Sequence, residues 1–285
     1  MRAAPLVASL LLGAAIQAQT GAVYSEPVPG LRLTLDVHPG AGPGPHPIAI
    51  VIPRADSYLA SFLAPAGYTV FTVDHRYPPA ASWREMAGDV RRAIRFIRHN
   101  APLWNADPRR IALVGGPDDG YLANLVGVML GDPDPRASDP VERASAAVQA
   151  VAAFSGYSDF RGQEPGPRVR AMLARDIEAY GEKLAFSGAS PVMHLRPGSP
   201  PFLLLHGDRD EEVPLAQSTH WQAALQAMGV RCDLIIVAGG GHGTEEWHRV
   251  PGVREWEREM TDWLNAALGH DRDAGPGILV RRPVP

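Results

Sequence analysis

The sequence predicts an α/β fold, with a mostly parallel central sheet covered by helices on both faces. Two observations carry that prediction. Strand-like and helix-like patterns alternate along most of the chain, the pattern of repeated strand–helix crossovers. Several of the strands, such as Pro47 to Ile52, are continuous apolar runs rather than alternating ones, as expected of strands buried on both faces. A length of 285 residues with 45% hydrophobic content is enough for one large domain.

Taken in order, the chain opens with Arg2 and the apolar run Leu6 to Ile16, with small residues near its end. That arrangement reads as an export signal over residues 1–18, cleaved after Ala18, which gives a secreted or periplasmic protein starting at Gln19. The run is short for a membrane span, so no membrane association is expected after cleavage. Leu31 to Val37 reads as a strand, and the segment Gly40-Ala41-Gly42-Pro43-Gly44-Pro45 as a loop. Pro47 to Ile52 is a buried strand, Ser57 to Ala66 a helix and Tyr68 to Val73 a strand. Over Trp83 to Asn100, residues Met86, Val90, Ile94 and Ile97 recur at helical spacing and form one apolar stripe. Arg110 to Val114 is a strand and Tyr121 to Leu130 a helix, with a Gly-rich turn between them. Ala147 to Phe154 is a strand, and Arg168 to Leu184 a polar helical insertion. Strands at Pro201 to Leu205 and Asp233 to Val237 flank a helix over Ala216 to Met228, and Trp256 to Leu268 closes the domain. The domain therefore spans 19–268. The Pro-, Gly- and charge-rich segment 269–285 reads as a flexible tail.

Composition excludes some functions. A formal net charge of −4 offers no electrostatic footprint for nucleic acid. The one cysteine, Cys232, permits no intrachain disulfide and sits in a strand as a small buried thiol. The sequence implies no cofactor and has no diagnostic metal-ligand spacing. Oligomeric state is not encoded in any motif.

The motifs that carry chemistry come in a fixed order. Val73-Asp74-His75-Arg76-Tyr77-Pro78-Pro79 follows a strand. Asp89-Val90-Arg91-Arg92-Ala93-Ile94 and Ala106-Asp107-Pro108-Arg109-Arg110-Ile111 lead into the next strand. Val114-Gly115-Gly116-Pro117-Asp118-Asp119-Gly120 forms the turn. Pro200-Pro201-Phe202-Leu203-Leu204-Leu205-His206-Gly207-Asp208-Arg209-Asp210 and Ala238-Gly239-Gly240-Gly241-His242-Gly243 complete the series. This succession, from Tyr24 to Leu268, resembles the esterase and acyl-peptidase-like branch of the α/β-hydrolase superfamily, close to hormone-sensitive-lipase-like and feruloyl-esterase-like domains. The resemblance implies carboxylic-ester-hydrolase descent and an α/β-hydrolase fold. It also implies a triad remnant of Asp210 as acid and His242 as base, in the chain order of that fold. Asp208 and Glu211 compete with Asp210 by spacing alone, and the family pattern selects Asp210. His206 is expected to be a strand-end histidine satisfied by backbone, and His220, His248 and His270 surface residues.

Two departures set the function apart from the family. In the family's G-x-S-x-G elbow, the nucleophile serine takes a strained positive φ. Here Pro117 holds that place and Asp119 the place of the second glycine. Proline is fixed near φ of about −65°, so the turn itself must be rebuilt. The family's His-Gly-Gly oxyanion loop reads Pro53-Arg54-Ala55-Asp56, and Pro53 has no N–H to donate. Loss of a triad serine costs on the order of a million-fold in turnover, and loss of an oxyanion donor roughly a hundred- to thousand-fold. The expectation is a secreted, esterase-like protein impaired in serine-dependent hydrolysis, with a small-molecule acyl or ester-like ligand as its partner. Two alternatives stand beside it. One is an active hydrolase with Asp118 as carboxylate nucleophile in a turn slipped by one residue, resembling haloalkane dehalogenases and epoxide hydrolases, with Asp210 and His242 activating water. Ser155, after the next strand, is a weaker substitute without an elbow. The other is a non-catalytic binding or interaction protein whose cleft is filled.

Overall fold

A computed structural model describes residues 17–53, 57–162, 166–247 and 255–270. The export signal, residues 54–56 of the oxyanion loop, His248 and most of the tail lie outside the described residues.

In chain order the elements are β1 (Gln19–Val28), β2 (Leu31–His38), β3 (His46–Ile52), α1 (Ser57–Leu63), β4 (Thr69–Val73), α2 (Trp83–Asn100), β5 (Ala106–Gly115), α3 (Gly120–Val128), β6 (Ala150–Phe154), α4 (Pro167–Tyr180), α5 (Glu182–Ala189), β7 (Phe202–Gly207), α6 (Ala216–Ala227), β8 (Cys232–Val237), α7 (Thr244–Trp247) and α8 (Glu255–Leu268). The eight strands form one sheet in the order β1-β2-β4-β3-β5-β6-β7-β8. From β4 onward every pairing is parallel, while β1 and β2 are antiparallel at one edge.

Each buried strand sends alternate residues to opposite faces. Ile48, Ile50 and Ile52 of β3 join the core beneath α2, α3 and α6, whereas Ala49 and Val51 join the core beneath α1 and α8. The stripe Met86, Val90, Ile94 and Ile97 of α2 is buried, as the spacing predicts. Ser82 and Glu85 close a capping box at the start of α2, which satisfies two backbone donors that the helix leaves open. Arg76 then ties the loop after β4 to this helix. Its guanidinium donates to both oxygens of Asp89 at 2.8 Å.

Apart from shifts of a few residues at element ends, three elements differ from the sequence reading. The strand β1 was not expected, because only Tyr24 in it is buried and it has no apolar alternation. The insertion is two helices, broken at Gly181, whose φ of 79° no helix can contain. The helix α7 is a single turn inside the histidine loop region.

Candidate active site

The site lies at the C-terminal ends of the parallel strands, where open α/β sheets place their ligands. It takes loops from β4, β5, β6, β7 and β8.

The acid and base are brought together. Asp210 follows β7 and His242 follows β8, and His242 Nδ1 lies 2.9 Å from Asp210 Oδ2. The loops meet because Gly207 and the histidine loop touch backbone to backbone. A Cβ at Gly207 would overlap the carbonyl oxygen of Gly240. Trp247 Nε1 donates to the Gly241 carbonyl at 2.9 Å and holds that loop in place. Asp210 Oδ1 accepts from the amides of Glu212 at 2.9 Å and Val213 at 2.8 Å. The other oxygen also lies 3.2 Å from His206 Nε2, and both of these side chains are fully buried. Burial opposes ionisation of Asp210, but the contacts with His206 and His242 outweigh it and hold the carboxyl far below the usual range. Burial lowers the His242 pKa, and its bond to Asp210 reverses the sign, so the net shift is upward.

The competing acid Asp208 is engaged elsewhere, accepting from Gly239 N at 2.6 Å. His206 is bound to the Val213 carbonyl and to Ser218 Oγ, at 2.9 and 2.7 Å. It is thus satisfied as expected, but its contact with Asp210 makes it part of the acid's support. The i, i+4 spacing of His206 and Asp210 was the available signal.

The nucleophile turn is rebuilt as a proline-led β-turn. Asp119 N donates to the Gly116 carbonyl at 2.9 Å, which places Pro117 at the second turn position, where its fixed φ fits. Among the described non-glycine residues, only Asn105 and Ser155 have positive φ. Asp118 therefore lacks the strained elbow backbone that a slipped turn would give it. Its charge does reach His242.

Asp119, in the place of the elbow's second glycine, meets His75 from the loop after β4. Its Oδ2 lies 3.1 Å from Nε2 of His75, in the fully buried region below the turn. The contact lacks aligned hydrogen-bond geometry and is an ion pair when His75 is protonated. His75 Nδ1 donates to the Arg76 carbonyl at 2.7 Å, so Nε2 carries a proton toward Asp119 only when the ring is charged. Burial lowers the His75 pKa, and Asp119 more than offsets it, so the net shift is again upward.

Ser155 is the residue that sequence reasoning undervalued. It follows β6 directly, with φ of 45° and 1% exposure, and its Oγ has no hydrogen-bond partner. A positive φ on a residue with a side chain costs on the order of 1–3 kcal/mol, and an unmade buried hydrogen bond about as much. The turn is fixed from several sides. Ser155 N donates to the Leu205 carbonyl at 2.9 Å. Gly120, at the start of α3, packs so closely that a Cβ there would overlap the Phe154 carbonyl oxygen. Further along the loop, the buried Gln217 Oε1 accepts from Ser158 N at 2.7 Å and Asp159 N at 2.9 Å. The expectation that Ser155 lacks an elbow holds in one respect, since no helix follows it, and fails in its backbone angle. A polar–glycine pair ending a buried strand was the signal.

The cleft is open. A cavity of about 320 Å³ is bounded by Pro117, Asp118 and Asp119 on one side, by Ser155, Tyr157 and Phe160 on another, and by Val213 and His242 on a third. Val169 and Met172 of α4 lie against it from the insertion. The alternative of a filled cleft is therefore corrected. Among the described residues, the compact turn at Pro117 and Gly156 after Ser155 leave this space unfilled. Most of the wall is apolar, as in small-ligand sites.

Comparison with known proteins agrees with this architecture. The BD-FAE family profile matches residues 54–225, more than half of the chain, and the chain belongs to that family. It is 28% identical over 271 residues to Esterase LipQ of Mycobacterium tuberculosis, covering 88% of this chain and 63% of that protein. It is 30% identical over 193 residues to Esterase LipC of the same organism, covering 65% of this chain and 47% of that protein. The chain thus spans about half to under two thirds of the length of these relatives. The crystal structure of an acetyl ester-xyloside bifunctional hydrolase from Caldicellulosiruptor lactoaceticus has the same fold, with a TM-score of 0.76 at 24% identity, covering 86% of this chain and 92% of that one.

Proposed function

We propose that this chain is an exported, ligand-binding member of an esterase family in which serine-dependent turnover is lost and the acyl-ligand cavity is kept. The observation that carries this reading is the pairing of Pro117 at the nucleophile place with an open cavity of about 320 Å³ beside an intact Asp210–His242 pair. Proline supplies no nucleophile, and its turn leaves no positive φ at residues 117–119 for a neighbour to use. The cavity suits a short acyl or aryl ester-like molecule: its wall is mainly apolar, with polar groups concentrated on the strand-end side. Calorimetric titration with a non-hydrolysable acyl anilide tests this reading. Binding by wild type and its loss in Val169→Trp, which fills the space from α4, are expected. Binding that Val169→Trp leaves unchanged would place the ligand elsewhere and overturn the reading.

A second reading is supported by one specific observation, that Asp118 lines the cavity within electrostatic reach of His242. Asp118 would then attack a carbon of an epoxide or alkyl halide, opening the ring C–O bond or expelling halide, and His242 would activate water to hydrolyse the resulting ester. Turnover in heavy-oxygen water would leave label in the Asp118 carboxylate, and Asp118→Asn would abolish activity on epoxides or alkyl halides. Unchanged activity in that variant excludes this route.

A further inference from the structure

Three independent features meet at Ser155. Its backbone has a positive φ of 45°, at the end of a strand adjacent to β5. Its hydroxyl is buried and without a partner. It lines the same cavity as His242. His242 Nδ1 is committed to Asp210, which leaves Nε2 as the nitrogen available to accept a proton. Gly156, the next residue, packs against the start of α3, where a Cβ would crowd Tyr121 N. Helix α3 has no side-chain cap, so its first N–H groups lie uncapped beside the Ser155 turn. An oxyanion formed at Ser155 would develop close to that positive helix end.

We infer that Ser155 is a covalent acyl acceptor, one strand removed from the lost elbow, which takes the acyl group of a small ester bound in the cavity. Ser155 Oγ attacks the carbonyl carbon as its proton passes to His242 Nε2. The tetrahedral oxyanion collapses, the ester C–O bond breaks, and the leaving alcohol takes that proton from His242. Asp210 stays ionised throughout and orients the ring. Release would need a water to reach the acyl carbon held over a serine that is only 1% exposed, so the protein captures its ligand rather than turning it over. This inference rests on the cavity being an acyl-ligand site.

The test uses 4-nitrophenyl acetate, with intact-protein mass spectrometry and peptide mapping. Wild type should acquire one acetyl group on Ser155. Ser155→Ala and Ser155→Gly should acquire none, and glycine preserves the positive-φ turn. Ser155→Cys should recover acylation through its thiol. His242→Ala should slow it on the order of a hundredfold, the typical contribution of a general base. An adduct that persists in Ser155→Gly, or none on wild type, would overturn the inference. Parallel titration with the unreactive acetanilide separates the two readings. Binding without an adduct removes only the Ser155 route, whereas no binding and no adduct removes the cavity reading as well.

Discussion

The two halves of this site have diverged in opposite ways. On the β7–β8 side, Asp210 and His242 form a hydrogen-bonded carboxylate–imidazole pair. On the β3–β5 side, Pro53 and Pro117 replace the groups that would do the chemistry. The difference has a physical origin. Asp210 is a structural residue as well as an acid, because it anchors the amides of Glu212 and Val213 and two histidines. Removing it would take that partner from His242 and the two amides whether or not catalysis matters. The elbow serves catalysis at a cost in backbone strain, and a proline-led β-turn removes that strain while still connecting β5 to α3. On the proposed reading, loss of turnover relaxes one half and leaves the other held by its own hydrogen bonds. The relaxed half carries a buried pair of its own, His75 and Asp119, 3.1 Å apart.

The sharpest way to break this contrast is Asp210→Ala. Losing the buried carboxylate should destabilise the protein by about 3–5 kcal/mol in urea unfolding, because His242 and two amides lose their partner and His206 loses its nearby charge. A change under about 1 kcal/mol would mean that the acid is not structural. Next comes Gly120→Ala, which forces a methyl into the Phe154 carbonyl and should cost about 1–3 kcal/mol by the same assay. A neutral result would show that the turn carrying Ser155 is not held by α3.

The two halves should also respond to pH in a way that separates them. His75 and His242 have raised pKa values, since their carboxylate partners outweigh burial. Their contribution to stability is fully present below the unfolded value of about 6.5 and is lost as pH rises through the folded values. Asp210 works in the other direction. Its contribution is present above about 3.9 and is lost as pH falls toward its depressed folded value. Denaturation midpoints should therefore fall on both sides of a plateau, and Asp119→Asn should shrink the alkaline loss alone. An unchanged alkaline loss would dissolve the His75–Asp119 pair. The smallest expected effect is that of Pro117→Ser. Ester hydrolysis should rise less than about tenfold, because neither the oxyanion loop nor the positive φ returns with the serine.

Most of the framework was legible in the sequence because buried strands and amphipathic helices carry their own periodicity. The stripe on α2 and the apolar runs of β3 and β7 are of this kind. The Asp210–His242 pair was legible through motif order. What was hidden depends on backbone angle or on contacts between distant loops. A serine after a strand gives no sign of its φ, and Ser155 has 45° where Gly120 and Gly156 let α3 approach. Likewise His75 and Asp119 are 44 positions apart, and only the adjacency of the β4 and β5 loops makes them a pair. The edge strand β1 was missed because an exposed edge needs no apolar alternation.

The central claim, that capture has outlived turnover, is tested most directly by the time course of nitrophenolate release from 4-nitrophenyl acetate at high protein concentration. The account predicts a release that stops near one equivalent per protein, followed by a rate indistinguishable from buffer. Sustained multiple turnover that His242→Ala abolishes would contradict it.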